Sequence, residues 1–203
     1  MFAKAVLFDL DGTLTDSGEG IINCAVFAME RLGIPVPPRE ELGVFVGPPL
    51  WDTFRQFGVP SDRVDEAVEI FRSRYVPIGK FENTPYSGIR ETLETLSRNH
   101  RLFIVSNSQR GYPEVCMEKL GLGELISGHL CFGDTQAPKG ETIRILMERH
   151  GITSAAYIGD TQGDAEAARD AGIPFVWASY GFGAPTGWIA KADAPADLTD
   201  IFR

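Results

Sequence analysis

Four short apolar runs, residues 5–8, 102–105, 155–158 and 174–177, stop at polar or glycine-rich turns and are made of β-branched, aromatic and small residues. Uninterrupted apolar strands of this length belong in a sheet covered on both faces. Between them, apolar residues recur at helical spacing. Ile89, Leu93 and Leu96 follow Ser87, a candidate N-cap, and Ile143, Leu146 and Met147 follow Gly140. The alanine-rich stretch 165–171 stops at Gly172, just before the last run. Strand alternating with helix predicts an α/β fold with a parallel sheet and helices on both faces.

Residues 16–83 break the alternation. Ile21, Ile22, Ala25, Val26, Met29 and Leu32 mark one helix ending at Gly33, and a proline-rich turn follows. Trp51, Phe54 and Phe57, then Val64, Ala67, Val68 and Phe71, mark further helices with no strand among them. The expected organisation is a discontinuous core, residues 1–15 and 84–203, carrying an all-helical insertion over 16–83. A length of 203 residues suits one domain with an insertion better than two equal domains. Asp16, with Glu19 three residues on, is expected to cap the first inserted helix.

Nineteen Lys and Arg against 28 Asp and Glu give a net charge of −9, which disfavours nucleic acid and anionic membranes as partners. Such a chain needs local cations to handle an anionic ligand. Cys24, Cys116 and Cys131 are odd in number and widely spaced, as suits a reducing, cytoplasmic setting. The first residues lack the pattern of a signal peptide, and glycines and prolines interrupt the most apolar long window, 171–190.

Chemistry concentrates at the strand ends. Asp9 and Asp11 follow the first run, and Asp160 and Asp164 follow the third, where open parallel sheets bind ligands. If these strands are neighbours, four carboxylates converge and need a counter-charge, for which Mg²⁺ with its oxygen ligands is the natural candidate. Ser106 and Asn107 end the second run with a hydroxyl, an amide and backbone N–H groups suited to a phosphate. Lys139 opens another helix and can neutralise both phosphate and carboxylates.

In this order, Asp9-Leu10-Asp11-Gly12-Thr13, Ser106-Asn107, Lys139 and Gly159-Asp160-Thr161 through Asp164 resemble the four motifs of the haloacid-dehalogenase superfamily. The insertion, PYSGIRETLETL and ASYGFGAP are similar to its phosphoglycolate-phosphatase-like branch. The resemblance implies a Rossmann-like core with a helical cap and a Mg²⁺-dependent phosphatase of a small phosphorylated metabolite. Asp9 would be the nucleophile and Asp11 the general acid and base. Asp9, the Asp11 carbonyl, Asp160 and Asp164 would serve the metal, and Thr13, Ser106, Asn107 and Lys139 the phosphoryl group. In the cap, Gly47 and Arg55 would meet the substrate.

Alternatives within the resemblance are a β-phosphoglucomutase-like phosphotransferase, which often carries an acidic residue where this chain has Gly159, and a non-catalytic module binding a phosphorylated ligand. Dehalogenases of the superfamily lack the second aspartate, present here as Asp11. His100, His129 and His150 form no metal-binding pattern.

Overall fold

A computed structural model describes residues 3–46 and 49–203. The chain divides into two compact units, Met1–Asp16 with Pro85–Arg203, and Ser17–Thr84.

In chain order the strands are β1 (Ala5–Phe8), β2 (Thr15–Asp16), β3 (Thr84–Pro85), β4 (Arg101–Ser106), β5 (Gly128–Cys131), β6 (Ala155–Gly159), β7 (Phe175–Ala178) and β8 (Ala190–Ala192). The helices are α1 (Gly18–Leu32), α2 (Leu50–Gln56), α3 (Val64–Tyr75), α4 (Ile89–Leu96), α5 (Tyr112–Leu120), α6 (Phe132–Thr135), α7 (Lys139–Arg149), α8 (Gln162–Ala171) and α9 (Asp197–Ile201), with short 3₁₀ turns among them.

Six strands form one parallel sheet in the order β5-β4-β1-β6-β7-β8. Alternation along each strand divides the core between the two faces. Val6, Phe8, Leu102, Ile104, Ala156, Ile158 and Val176 pack with Ile89, Leu93 and Leu96 of α4, Cys116 and Met117 of α5 and Leu198 of α9. Ala5, Leu7, Phe103, Val105, Tyr157 and Phe175 pack with Ile143 and Leu146 of α7 and Ala165 and Ala168 of α8. The chain leaves β1 for β4 and β5 on one side and returns to β6, β7 and β8 on the other. The carboxyl ends of β4, β1 and β6 therefore lie side by side at the switch point of the sheet.

The strands of this sheet absent from the sequence reading, β5 and β8, are its two edges, partly exposed and carrying His129 and Lys191, and β2 and β3, also absent from it, pair separately. An edge strand needs no continuous apolar run, so its pattern is weak. Two expected caps are not formed. Gly88, left-handed at φ 81°, rather than Ser87, precedes α4. Asp16 lies in β2 and is exposed, while Ser17 precedes α1 without a side-chain capping bond.

In the unit Ser17–Thr84, Cys24, Ala25, Ala28, Met29 and Leu32 of α1 pack with Leu42, Phe45, Phe54 and, from α3, Val64, Ala67, Val68 and Phe71. Arg74 and Glu82 form a two-pronged ion pair in this unit, with both contacts at 2.8 Å. All three cysteines are buried and free. Among the described residues no helix is long and apolar enough to cross a membrane.

Candidate active site

Asp9 is the first residue after β1, and its N–H donates to the Ile158 carbonyl of neighbouring β6 at 2.8 Å. Its carboxylate is buried, at 7% exposure, and Asp160 and Asp164 are fully buried. Each of the three offers an oxygen within 4.8 Å of the others. Lys139, the first residue of α7, places Nζ 3.0 Å from Asp9 Oδ1 and 2.6 Å from Asp164 Oδ1.

Asp164 is the best compensated of these acids. It closes a capping box on α8, accepting from Thr161 N–H at 2.9 Å and from Thr161 Oγ1 at 2.6 Å through Oδ2. Burial opposes its ionisation, yet Lys139 and the Thr161 bonds hold its carboxyl below the usual range. Burial would also lower Lys139, but Asp164 and Asp9 outweigh it and keep the ammonium charged. One ammonium cannot serve three carboxylates. Burial pushes Asp9 well up despite Lys139, and burial with the nearby Asp164 raises Asp160 to about 6.

Asp160 is held by one backbone and one side-chain donor. It accepts from Phe182 N–H at 2.9 Å and from Thr13 Oγ1 at 3.5 Å. A Cβ at Gly12 would lie 2.4 Å from Asp160 Oδ2, and one at Gly181 would lie 2.3 Å from Asp160 Cβ. Gly12 also takes φ +87°, a left-handed turn that closes with a 2.7 Å bond from its N–H to the Thr15 carbonyl.

Thr13 is fully buried, with its hydroxyl 3.5 Å from Asp160 Oδ1. Ser106 is buried at the end of β4, and its Oγ accepts from Ser108 N–H at 3.2 Å, leaving its own proton to donate. Asn107 follows, exposed. The Asp11 carboxylate accepts from the Tyr112 hydroxyl at 2.9 Å, a partner that sequence reasoning missed. Phe182 was missed too, since it acts through its backbone, although the glycines around it in ASYGFGAP were a signal. Tyr157, fully buried, donates to the Val105 carbonyl at 2.8 Å and lies 3.5 Å from Asp164 Oδ1. Arg55 sits in the other unit, half exposed and paired with Asp52 at 3.0 Å. Gly47 lies outside the described residues. His100, His129 and His150 bond to Ala3 and Phe202 carbonyls, to Glu114 and to Arg101 respectively, away from the three buried aspartates.

The donor set fits a divalent cation. Three buried carboxylates against one ammonium leave an excess of two negative charges, and the two acids pushed upward are Asp9, which shares Lys139 with Asp164, and Asp160. All-oxygen ligation suits Mg²⁺. Both Asp164 oxygens already hold partners, Lys139 on Oδ1 and Thr161 on Oδ2.

A buried carboxylate after the central strand, beside a lysine and a second acidic strand end, is matched by a family likeness over most of the chain. Residues 6–178 match the haloacid dehalogenase-like hydrolase family. The chain belongs to this family. A 5'-nucleotidase of Pseudomonas aeruginosa is 36% identical to this haloacid dehalogenase-like hydrolase over 188 residues, covering 88% of the chain and 83% of the relative. A phosphoglycolate phosphatase of Cupriavidus necator is 32% identical over 205 residues, covering 95% of the chain and 88% of the relative. Among solved structures, a haloacid dehalogenase-like family hydrolase from Streptococcus pneumoniae superposes with a TM-score of 0.90 at 30% identity, covering 99% of both chains.

Proposed function

We propose that this haloacid dehalogenase-like phosphatase hydrolyses a small phosphomonoester through an aspartyl-phosphate on Asp9, with Mg²⁺ as cofactor. The observation that carries the reading is the buried Asp9 carboxylate, held 3.0 Å from the Lys139 ammonium and beside Asp160, which forms no ion pair among the described residues. A carboxylate attacks an anionic phosphate only where cations cancel their repulsion.

Asp9, the Asp11 carbonyl and Asp160 would hold Mg²⁺, with Asp164 steadying the arrangement through Lys139. When bound, the ion supplies charge neutralisation and Lewis acidity at the phosphoryl oxygens. Lys139, Ser106 and the Asn107 backbone bind those oxygens. One Asp9 oxygen forms a bond to phosphorus as the bond to the substrate's ester oxygen breaks, and Asp11 gives its proton to the departing alkoxide. Asp11, now ionised, takes a proton from water as that water attacks the phosphorus. The Asp9–phosphorus bond breaks, restoring the carboxylate and freeing inorganic phosphate.

Gly159 favours hydrolysis over the mutase-like alternative: a Cβ there would lie 2.5 Å from Asp164 Cβ, leaving no room for the acidic residue often found in that branch. We assign the role of cap to the helical unit Ser17–Thr84, with Gly47 and Arg55 as substrate-facing candidates, from the family likeness. The relatives named above point to phosphoglycolate and nucleoside 5'-monophosphates as the first substrates to compare. Phosphate release from a panel of these and sugar phosphates, with Mg²⁺ and with EDTA, tests the reading. Metal-dependent release with one clear preference supports it, and tight binding without release in Mg²⁺ favours the non-catalytic alternative.

A further inference from the structure

The Tyr112 hydroxyl donates to Asp11 Oδ1 at 2.9 Å across 101 residues of sequence. The ring is 6% exposed and packed in the same core cluster as Phe8, Leu10 and Leu14, next to the turn that carries Asp11. Tyr112 is the first residue of α5, entered through Gly111 at φ 82°, and its N–H donates to the Gln109 carbonyl at 3.2 Å. Its phenol is thus a fixed donor on a rigid element, whereas Asp11 is only partly buried.

We propose that Tyr112 is a positioning residue for proton transfer by Asp11, an inference that rests on the acid and base role given to Asp11 above. A carboxylic acid has two oxygens and one proton, and only one orientation delivers that proton to the departing alkoxide. By donating to Oδ1, Tyr112 fixes the carboxyl plane and with it the direction in which the carboxyl proton is offered. As the ester P–O bond breaks, the Asp11 proton passes to the alkoxide oxygen, and Tyr112 keeps its bond to the resulting carboxylate. In the second half-reaction the same bond holds the carboxylate oriented to accept the proton of water. Geometry of this kind governs the efficiency of general acid catalysis.

The test is Tyr112→Phe, which keeps the ring in the core and removes only the hydroxyl. The readout is kcat/KM, which reports steps up to phosphoryl transfer, for two substrates in Mg²⁺. One is the best alkyl phosphomonoester of the panel, whose alkoxide needs a proton to leave. The other is p-nitrophenyl phosphate, whose phenolate leaves without one. We expect the alkyl value to fall about tenfold and the aryl value less than about threefold. Asp11→Asn should show the same selectivity with a larger loss, and the double variant should be no worse than Asp11→Asn alone. Equal losses on both substrates, no loss, or a gain in Tyr112→Phe would overturn the inference while leaving the Asp11 reading intact. An Asp11→Asn variant without leaving-group selectivity would overturn that reading and the inference with it.

Discussion

Lys139 Nζ lies 2.6 Å from Asp164 Oδ1 and 3.0 Å from Asp9 Oδ1, so one buried ammonium is shared by a carboxylate just after β1 and one in the first turn of α8. Its side chain is 9% exposed, and Asp164 is fully buried, so water cannot replace it. Lys139→Met leaves both acids without a counter-charge. We expect it to destabilise the protein by roughly 3 kcal/mol in EDTA, within the range for breaking a buried pair, and to abolish detectable phosphate release. Denaturant melts and turnover assays check both effects.

On the proposed reading, the excess negative charge would make Mg²⁺ a stabiliser as well as a cofactor. Saturating Mg²⁺ should raise the melting temperature above that in EDTA, with about 2.7 kcal/mol available at a hundredfold excess over Kd. Asp160→Asn removes one uncompensated charge and should melt higher than the wild type in EDTA, yet gain nothing from Mg²⁺. A thermal-shift experiment reads both signs. An undiminished response to Mg²⁺ in the variant would remove Asp160 from the metal site.

Two glycines hold Asp160 in place by leaving it room. A methyl group at Gly181 would lie 2.3 Å from both Asp160 Cβ and the Gly12 carbonyl oxygen, so Asp160 or its loop must shift. We expect Gly181→Ala to fold and to weaken Mg²⁺ binding by about tenfold or more, since misplaced ligands cost affinity on that scale. Isothermal titration with Mg²⁺ measures it, and wild-type affinity would contradict the steric account.

The ion pair between Arg74 and Glu82 gives the helical unit a pH signature. The hydrogen bond from Arg74 lowers the carboxyl of Glu82 despite partial burial. A carboxyl lowered on folding contributes stability that is fully present above its unfolded pKa, about 4.3, and is lost as pH falls through the folded value. Glu82→Gln should therefore cost about 1 kcal/mol at pH 7 and progressively less below about pH 4, checked by urea melts at both pH values.

The central strands, the alternation with helices and the acidic strand ends were legible because each is a local pattern. Apolar runs bury both faces of β1, β4 and β6, and Asp9, Ser106 and Asp160 follow from where those runs stop. Edge strands β5 and β8 escaped because partial exposure relaxes their composition. The burial of Thr13 against Asp160, 147 residues away, depends on strand neighbours that no local pattern specifies. The Tyr112–Asp11 bond was hidden for the same reason.

The covalent step through Asp9 is the central claim, and acid-quenching the enzyme during turnover with its best substrate and Mg²⁺ tests it most directly. Peptide mass spectrometry should find a phosphoryl adduct on Asp9 in the wild type, and Asp9→Asn should show neither adduct nor turnover. Metal-dependent phosphate release that persists in Asp9→Asn, or an adduct on another residue, would contradict the account.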